Sequence, residues 1–202
     1  ITQTGMFHVG LSKLKFGKAV DLGNACDIDF ADALEYFEDD PDIKIVALHI
    51  EGIQKGRKFL EVASRVARKK PIVALKAGRS EYGAKTAQSH TGSLVGRDEV
   101  YDAAFKQCGI IRASDVEELE DMLYAFLYLP PMKGRRVAVM SWAGSTGVFT
   151  VDACEKYGLE VVKLSPDTLD HIDKLSPPPW FRISNPVDIW AHISLKKFNL
   201  RG

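Results

Sequence analysis

Two short apolar runs, residues 44–50 (KIVALHI) and 71–76 (PIVALK), constrain the fold more than any other feature of this chain. Neither run alternates between apolar and polar residues. A strand of this kind is covered on both faces, which calls for a parallel sheet with helices crossing over it. Between the runs, Phe59, Leu60, Ala63, Val66 and Ala67 recur at helical spacing with Arg and Lys on the opposite face. An earlier helix is predicted from about Asp29, with Phe30, Ala33, Leu34 and Phe37 on one stripe and Pro41 ending it.

The same alternation continues downstream. Residues 98–108 read as a helix stopped by Gly109, and 110–112 as a short strand. Ser114 then opens a capping box with Glu117, before a helix reaching about Leu127. The segment Leu129-Pro130-Pro131-Met132-Lys133-Gly134 reads as a domain boundary. After it the pattern restarts: a strand at 136–141, a helix at 147–157 capped by Gly158, a strand at 159–164, and Ser165-Pro166 opening another helix. The expectation is an α/β protein of two parallel-sheet units, residues 1–130 and 133–202, the second incomplete with two strands. A chain of 202 residues is long enough for two small domains. The opening Ile1 reads as the end of a strand, so the chain is expected to begin inside a larger protein.

Charge excludes several function classes. Lys plus Arg and Asp plus Glu are each 27, giving zero net charge. That balance argues against a nucleic-acid partner and a polybasic membrane anchor. No apolar run approaches the roughly 18–20 residues of a membrane span, and no signal peptide opens the chain. Cys26, Cys108 and Cys154 lie far apart, with neither disulfide nor zinc spacing. A reduced, cytoplasmic protein without a metal-ligand cluster is expected.

In open α/β sheets, ligands bind beyond the carboxyl ends of the strands. Three loops there carry reactive groups. About twenty residues follow the second strand, long for such a connection, with Ser89-His90-Thr91-Gly92 at their centre. Two readings of His90 stand: an exposed loop histidine, the ordinary fate of a polar side chain, and a nucleophilic or acid–base imidazole. Glu51-Gly52 follows the first strand directly. Glu51 is either a solvated strand-end charge or the carboxylate that fixes an imidazole tautomer. The third feature is a pair of small-residue turns, Thr2-Gln3-Thr4-Gly5 and Ala143-Gly144-Ser145-Thr146-Gly147. Each sets hydroxyls and backbone N–H groups at a helix N-terminus, suited to phosphate or simply to close packing. Neither is a Walker loop or GxGxxG. His49 reads as a core histidine, Trp142, Trp180 and Trp190 as packing or loop anchors, and Arg65, Arg68, Lys69 and Lys70 as a solvated helix face.

Taken together, KPIVALKAGRSEYGAKTAQSHTGSLVGRDEVYDAAFKQCGIIR, ITQTGMF, VDLGNACDIDFADALEYFEDDP, LHIEG, RRVAVMSWAGSTGVFTVDACEKYGLEVVKLS and SNPVDI resemble the NDP-forming acyl-CoA synthetases. That family includes the ADP-forming acetate–CoA ligases and, more distantly, succinyl-CoA synthetase. The resemblance implies two flavodoxin-like units, the first carrying a phosphohistidine loop. His90 would be the transiently phosphorylated histidine and Glu51 the carboxylate holding its imidazole. Thr2, Gln3, Thr4 and Gly5, and from the second unit Gly144, Ser145, Thr146 and Gly147, would open the helices that cradle the phosphoryl group. Coenzyme A and ATP or ADP with Mg would be substrates of the full enzyme, with none bound tightly by this chain.

Implied partners are a small organic acid, a CoA-binding Rossmann-like domain, and an ATP-grasp domain or subunit in a homo- or hetero-oligomer. Alone, the chain is expected to make no acyl-CoA. The turn here has Trp142-Ala143-Gly144-Ser145-Thr146-Gly147 where the family has Asn-Ala-Gly-Gly-Pro-Gly. The rival reading is a synthetase-like regulatory module of a GNAT-type protein acyltransferase. A flavodoxin-type flavin binder is disfavoured, because no aromatic-flanked phosphate loop is present.

Overall fold

The computed structural model describes residues 17–80, 82–83, 85–86, 96–174 and 184–189. The chain divides into two compact units, Ile1–Pro131 and Met132–Gly202.

In the first unit, helix α1 (Phe30–Glu38) leads to β1 (Val46–Ile50), α2 (Gly56–Val66), β2 (Ile72–Lys76), α3 (Asp98–Cys108), β3 (Ile111–Ala113) and α4 (Val116–Tyr128). The strands pair in the order β1-β2-β3, all parallel, in a register that sets Ile50 beside Lys76 and Leu75 beside Ala113. All five residues of β2 are buried, because helices cover both of its faces. On one face Ile72 and Ala74 join Leu34, Phe59, Val66 and Phe105; on the other, Val73 and Leu75 join Leu119 and Leu123 of α4. Strand β1 departs from the expected two-sided burial. Val46, Leu48 and Ile50 are buried, whereas Ala47 is exposed and His49 half-buried, as befits the edge strand among the described residues.

Local chemistry fixes the helix ends. The Asp29 carboxylate accepts the N–H groups of Ala31 and Asp32 at 2.8 and 3.2 Å, and Asp32 accepts the Asp29 N–H in return at 2.9 Å. Helix α3 ends at Gly109, whose φ of 75° is costly for any residue with a Cβ. The cap of α4 lies one residue later than the spacing of Ser114 and Glu117 suggests. Asp115 accepts the Glu118 N–H at 2.8 Å, while the Glu118 carboxylate accepts the Ser114 N–H at 2.6 Å. A carboxylate is the better acceptor at the positive end of the helix, so Asp115 caps α4 while Glu118 reaches back to the residue before the cap. Basic residues of α2 and the turn after it do more than face solvent. Lys58 pairs with Asp32 at 2.6 Å, Arg65 with Glu38 at 2.9 Å, and Lys69 with Glu38 and Asp39 at 2.8 Å each. The Lys58 ammonium, helped by the Asp29 N–H, holds the Asp32 carboxyl down at about 2.

The second unit contains β4 (Arg136–Val137), β5 (Met140–Ser141), α5 (Gly144–Lys156), β6 (Glu160–Val161), α6 (Pro166–Asp173) and β7 (Val187–Asp188). The single strand expected over 136–141 is broken in two, β4 pairing with β6 and β5 with β7, each parallel. Asn185 causes the break. Its side-chain amide accepts the Val139 N–H at 2.8 Å and donates to the Val137 and Val162 carbonyls at 3.0 and 2.7 Å, taking the place of ladder bonds. Strand β7 adds a third strand position to the two expected. Trp142 is not a packing anchor, being 62% exposed, while Trp180 and Trp190 lie outside the described residues.

Candidate functional site

The carboxyl edge of the first sheet gathers the charged groups. Glu51 is the first residue beyond β1, fixed by the ladder bond from the Ala77 N–H to the Ile50 carbonyl at 2.9 Å. Its side-chain Oε2 is buried and lacks any hydrogen-bond partner among the described residues. A buried carboxylate oxygen left unmatched is expensive, and at the carboxyl end of a parallel strand, where ligands bind, it is an acceptor available to a donor. At the end of β2, Lys76 is only 2% exposed, with its Nζ 4.6 Å from the centroid of the Tyr101 ring and its ammonium donating to the Ala77 carbonyl. Burial pulls the Lys76 ammonium below the ordinary lysine value, Glu51 and Asp98 opposing and Arg112 reinforcing that effect. The Tyr101 hydroxyl accepts the Ile53 N–H at 3.3 Å, tethering the turn that carries Glu51.

Beneath this edge Arg112 of β3 pairs with Asp98 and Asp102 of α3, and Arg79 approaches Asp98 at 3.5 Å. His49, two residues before Glu51, has its imidazolium disfavoured by burial. Among the described residues no group of three His, Cys, Asp or Glu could hold a metal. His90, together with Thr2, Gln3, Thr4 and Gly5, lies outside the described residues.

In the second unit the small-residue turn is the start of α5 itself, three residues earlier than periodicity implies. Gly, Ser and Thr contribute no apolar stripe to announce it. The N-cap Ala143 makes no side-chain capping bond. Gly144, Ser145 and Thr146 are exposed in the first turn, whose amides an α-helix leaves without intrahelical partners. Gly147 is different: its N–H donates to the Ala143 carbonyl at 3.1 Å, and it is buried. A Cβ there would meet Ser141 Oγ at 3.1 Å and Pro186 Cβ at 3.2 Å, so Gly147 serves close packing. The Asp188 carboxylate lies near the same helix end, 3.1 Å from where a Gly144 Cβ would be.

Sequence reasoning missed Lys76 and Tyr101. A lysine closing an apolar strand reads as a solvated end, and only the match between the run's length and the strand's length hints that it stays inside.

Residues 2–126 match the sequence pattern of the succinyl-CoA ligase like flavodoxin domain. Over 197 residues the chain is 44% identical to the alpha subunit of an ADP-forming acetate–CoA ligase II of Pyrococcus furiosus, covering 95% of this chain and 43% of that one. It is 35% identical to an ADP-forming 4-hydroxybutyrate–CoA ligase of Nitrosopumilus maritimus, covering 91% of this chain and 26% of the relative. Among solved structures, a dinucleotide-forming acetyl-coenzyme A synthetase 1 of Ca. Korarchaeum cryptofilum, in complex with phosphate and ADP, superposes with a TM-score of 0.78 at 40% identity. That match covers 84% of this chain and 37% of the solved one. The chain thus spans well under half the length of each.

Proposed function

This chain belongs to the succinyl-CoA-ligase-like flavodoxin family, and from that premise we propose that it forms the phosphohistidine-bearing part of an ADP-forming acyl-CoA synthetase. The whole enzyme interconverts an organic acid, coenzyme A and ATP with acyl-CoA, ADP and phosphate. The names of the two ADP-forming ligases among its relatives support this reading over a regulatory module of a protein acyltransferase. One observation carries the assignment of the site: the buried, unmatched Glu51 Oε2 at the carboxyl end of β1.

In this reading Glu51 accepts the N–H of the His90 imidazole and leaves the other ring nitrogen neutral and nucleophilic. That nitrogen attacks the phosphorus of an acyl phosphate. The P–N bond forms, the P–O bond to the acyl group breaks, and the acid departs as its carboxylate. Glu51 stabilises the positive charge that develops on the ring. The phosphoryl group then passes to ADP, the P–N bond breaking as a P–O bond forms. The resemblance gives Thr2, Gln3, Thr4 and Gly5 the part of receiving phosphoryl oxygens, and the exposed first-turn amides of Gly144–Thr146 suit the same kind of group, a helix end contributing on the order of 1 kcal/mol. Mg accompanies the nucleotide, and a CoA-binding domain and an ATP-grasp domain complete the enzyme.

Product analysis tests the reaction class. The intact protein, given acetate, coenzyme A and ATP, should release ADP and phosphate in equal amounts with acyl-CoA. Release of AMP and pyrophosphate would refute the assignment.

A further inference from the structure

The carboxyl edge of the first unit contains a cation that neither the helix-dipole account nor the phosphohistidine chemistry assigns. We propose that Lys76 is a positioning residue of this site, its buried ammonium supplying a fixed positive charge at the carboxyl edge of the sheet that balances the anion brought to it. The inference rests on the reading of Glu51 and His90 given above.

All five residues of strand β2 are buried, and Lys76 ends it with 2% exposure. Lysine is almost never buried this far unless it is paired. Among the described residues no carboxylate lies within ion-pair distance of it, and its neighbours are the Ala77 carbonyl and the Tyr101 ring. Removing an ammonium from water is costly, and one carbonyl and one cation–π contact offset that cost only in part. An apolar side chain of similar length would give a more stable sheet. A buried charge retained against stability, beside a buried carboxylate oxygen with no partner, is the pattern of a functional site.

Geometry connects the two groups. Ile50 and Lys76 are register partners, so Lys76 stands beside the residue that precedes Glu51. Tyr101 bridges them, its ring against the Lys76 ammonium and its hydroxyl accepting the Ile53 N–H two residues beyond Glu51. The charged and titratable groups facing Lys76 are Glu51 after β1, Asp98 and Tyr101 on α3, and Arg112 on β3. Arg112 is bound to Asp98 and Asp102, whereas among the described residues the Lys76 ammonium makes no ion pair and so retains its charge for an incoming phosphoryl group.

The test measures stability and chemistry together in the intact protein. Lys76→Met should melt at or above the temperature of the unaltered protein, because the buried charge is gone. Its phosphorylation from ATP should fall about tenfold, one pKa unit's worth of interaction. The alkaline fall in labelling, expected below the ordinary lysine range because burial favours the neutral amine, should disappear in Lys76→Met, and Lys76→Arg should recover part of the label. Lys76→Met that labels like the unaltered protein at every pH would overturn the proposal, and so would one that melts markedly lower, since Lys76 would then be structural. Absence of label in the unaltered protein would instead overturn the phosphohistidine reading.

Discussion

Adding one methyl group at two helical glycines should have opposite effects, and the structure gives the sign of each. Gly56, the first residue of α2, has nothing within 4 Å of where its Cβ would lie. Alanine there restricts the unfolded chain and meets no obstacle, so Gly56→Ala should stabilise the first unit by about 0.4–1 kcal/mol. Gly147, in the second turn of α5, gains a comparable helix preference of about 1 kcal/mol. Its Cβ, however, would press on Ser141 Oγ at 3.1 Å and on Pro186 Cβ and Cγ at 3.2 and 3.3 Å. The hydroxyl already donates to the Ala143 carbonyl at 2.8 Å, and the proline ring has no rotamer to escape into. Overpacking of this kind costs about 1–3 kcal/mol, so Gly147→Ala should lose up to about 2 kcal/mol on balance. The assay can read the units separately, because Trp142, Trp180 and Trp190, all three tryptophans, belong to the second unit. Urea melts followed by tryptophan fluorescence report on Gly147→Ala, and far-UV circular dichroism at the first-unit transition reports on Gly56→Ala. Gly147→Ala more stable than the unaltered chain, by the full helix preference of about 1 kcal/mol, would refute the close approach of α5 to Ser141 and Pro186.

Three further outcomes follow from named contacts. Asn185→Ala leaves the Val139 N–H and the Val137 and Val162 carbonyls without the amide that serves them, so the fluorescence-detected melt should show a loss of about 2–4 kcal/mol. The Asp32 carboxyl is lowered from 3.8 to about 2, so its stabilising effect is complete above 3.8 and is lost as pH falls through about 2. Thermal melts across that interval should show Asp32→Asn losing less stability than the unaltered chain. Glu51→Gln keeps the shape but not the charge, and phosphorylation of the intact protein should drop about tenfold, by radiolabel counting, without loss of fold.

Much of the fold could be read from the chain because few effects compete there. Unbroken apolar runs at 44–50 and 71–76, a Gly after residue 108 and Ser165-Pro166 each have one dominant cause, and the structure has β1, β2, the end of α3 and the start of α6 at those places. The misreadings share a different origin. Residues 136–141 look like one strand because a strand pattern cannot show that Asn185, some 46 residues on, takes over the ladder at Val139. The cap at Asp115 instead of Ser114 turns on which of two adjacent acceptors is charged. Glu51 could be singled out as the first residue past an apolar run. Lys76 is marked only by its place at the end of the run, because its contact with the Tyr101 ring of α3 is encoded in no local pattern.

The central claim is that His90 carries a phosphoryl group during turnover. Mass spectrometry of the intact protein, incubated with ATP or with acyl-CoA and phosphate and kept at alkaline pH, tests it directly. An acid-labile, base-stable phosphoryl group on His90 is expected, and His90→Ala should lose both the label and the overall reaction while keeping the same circular dichroism spectrum. Undiminished synthetase activity in His90→Ala would contradict the account.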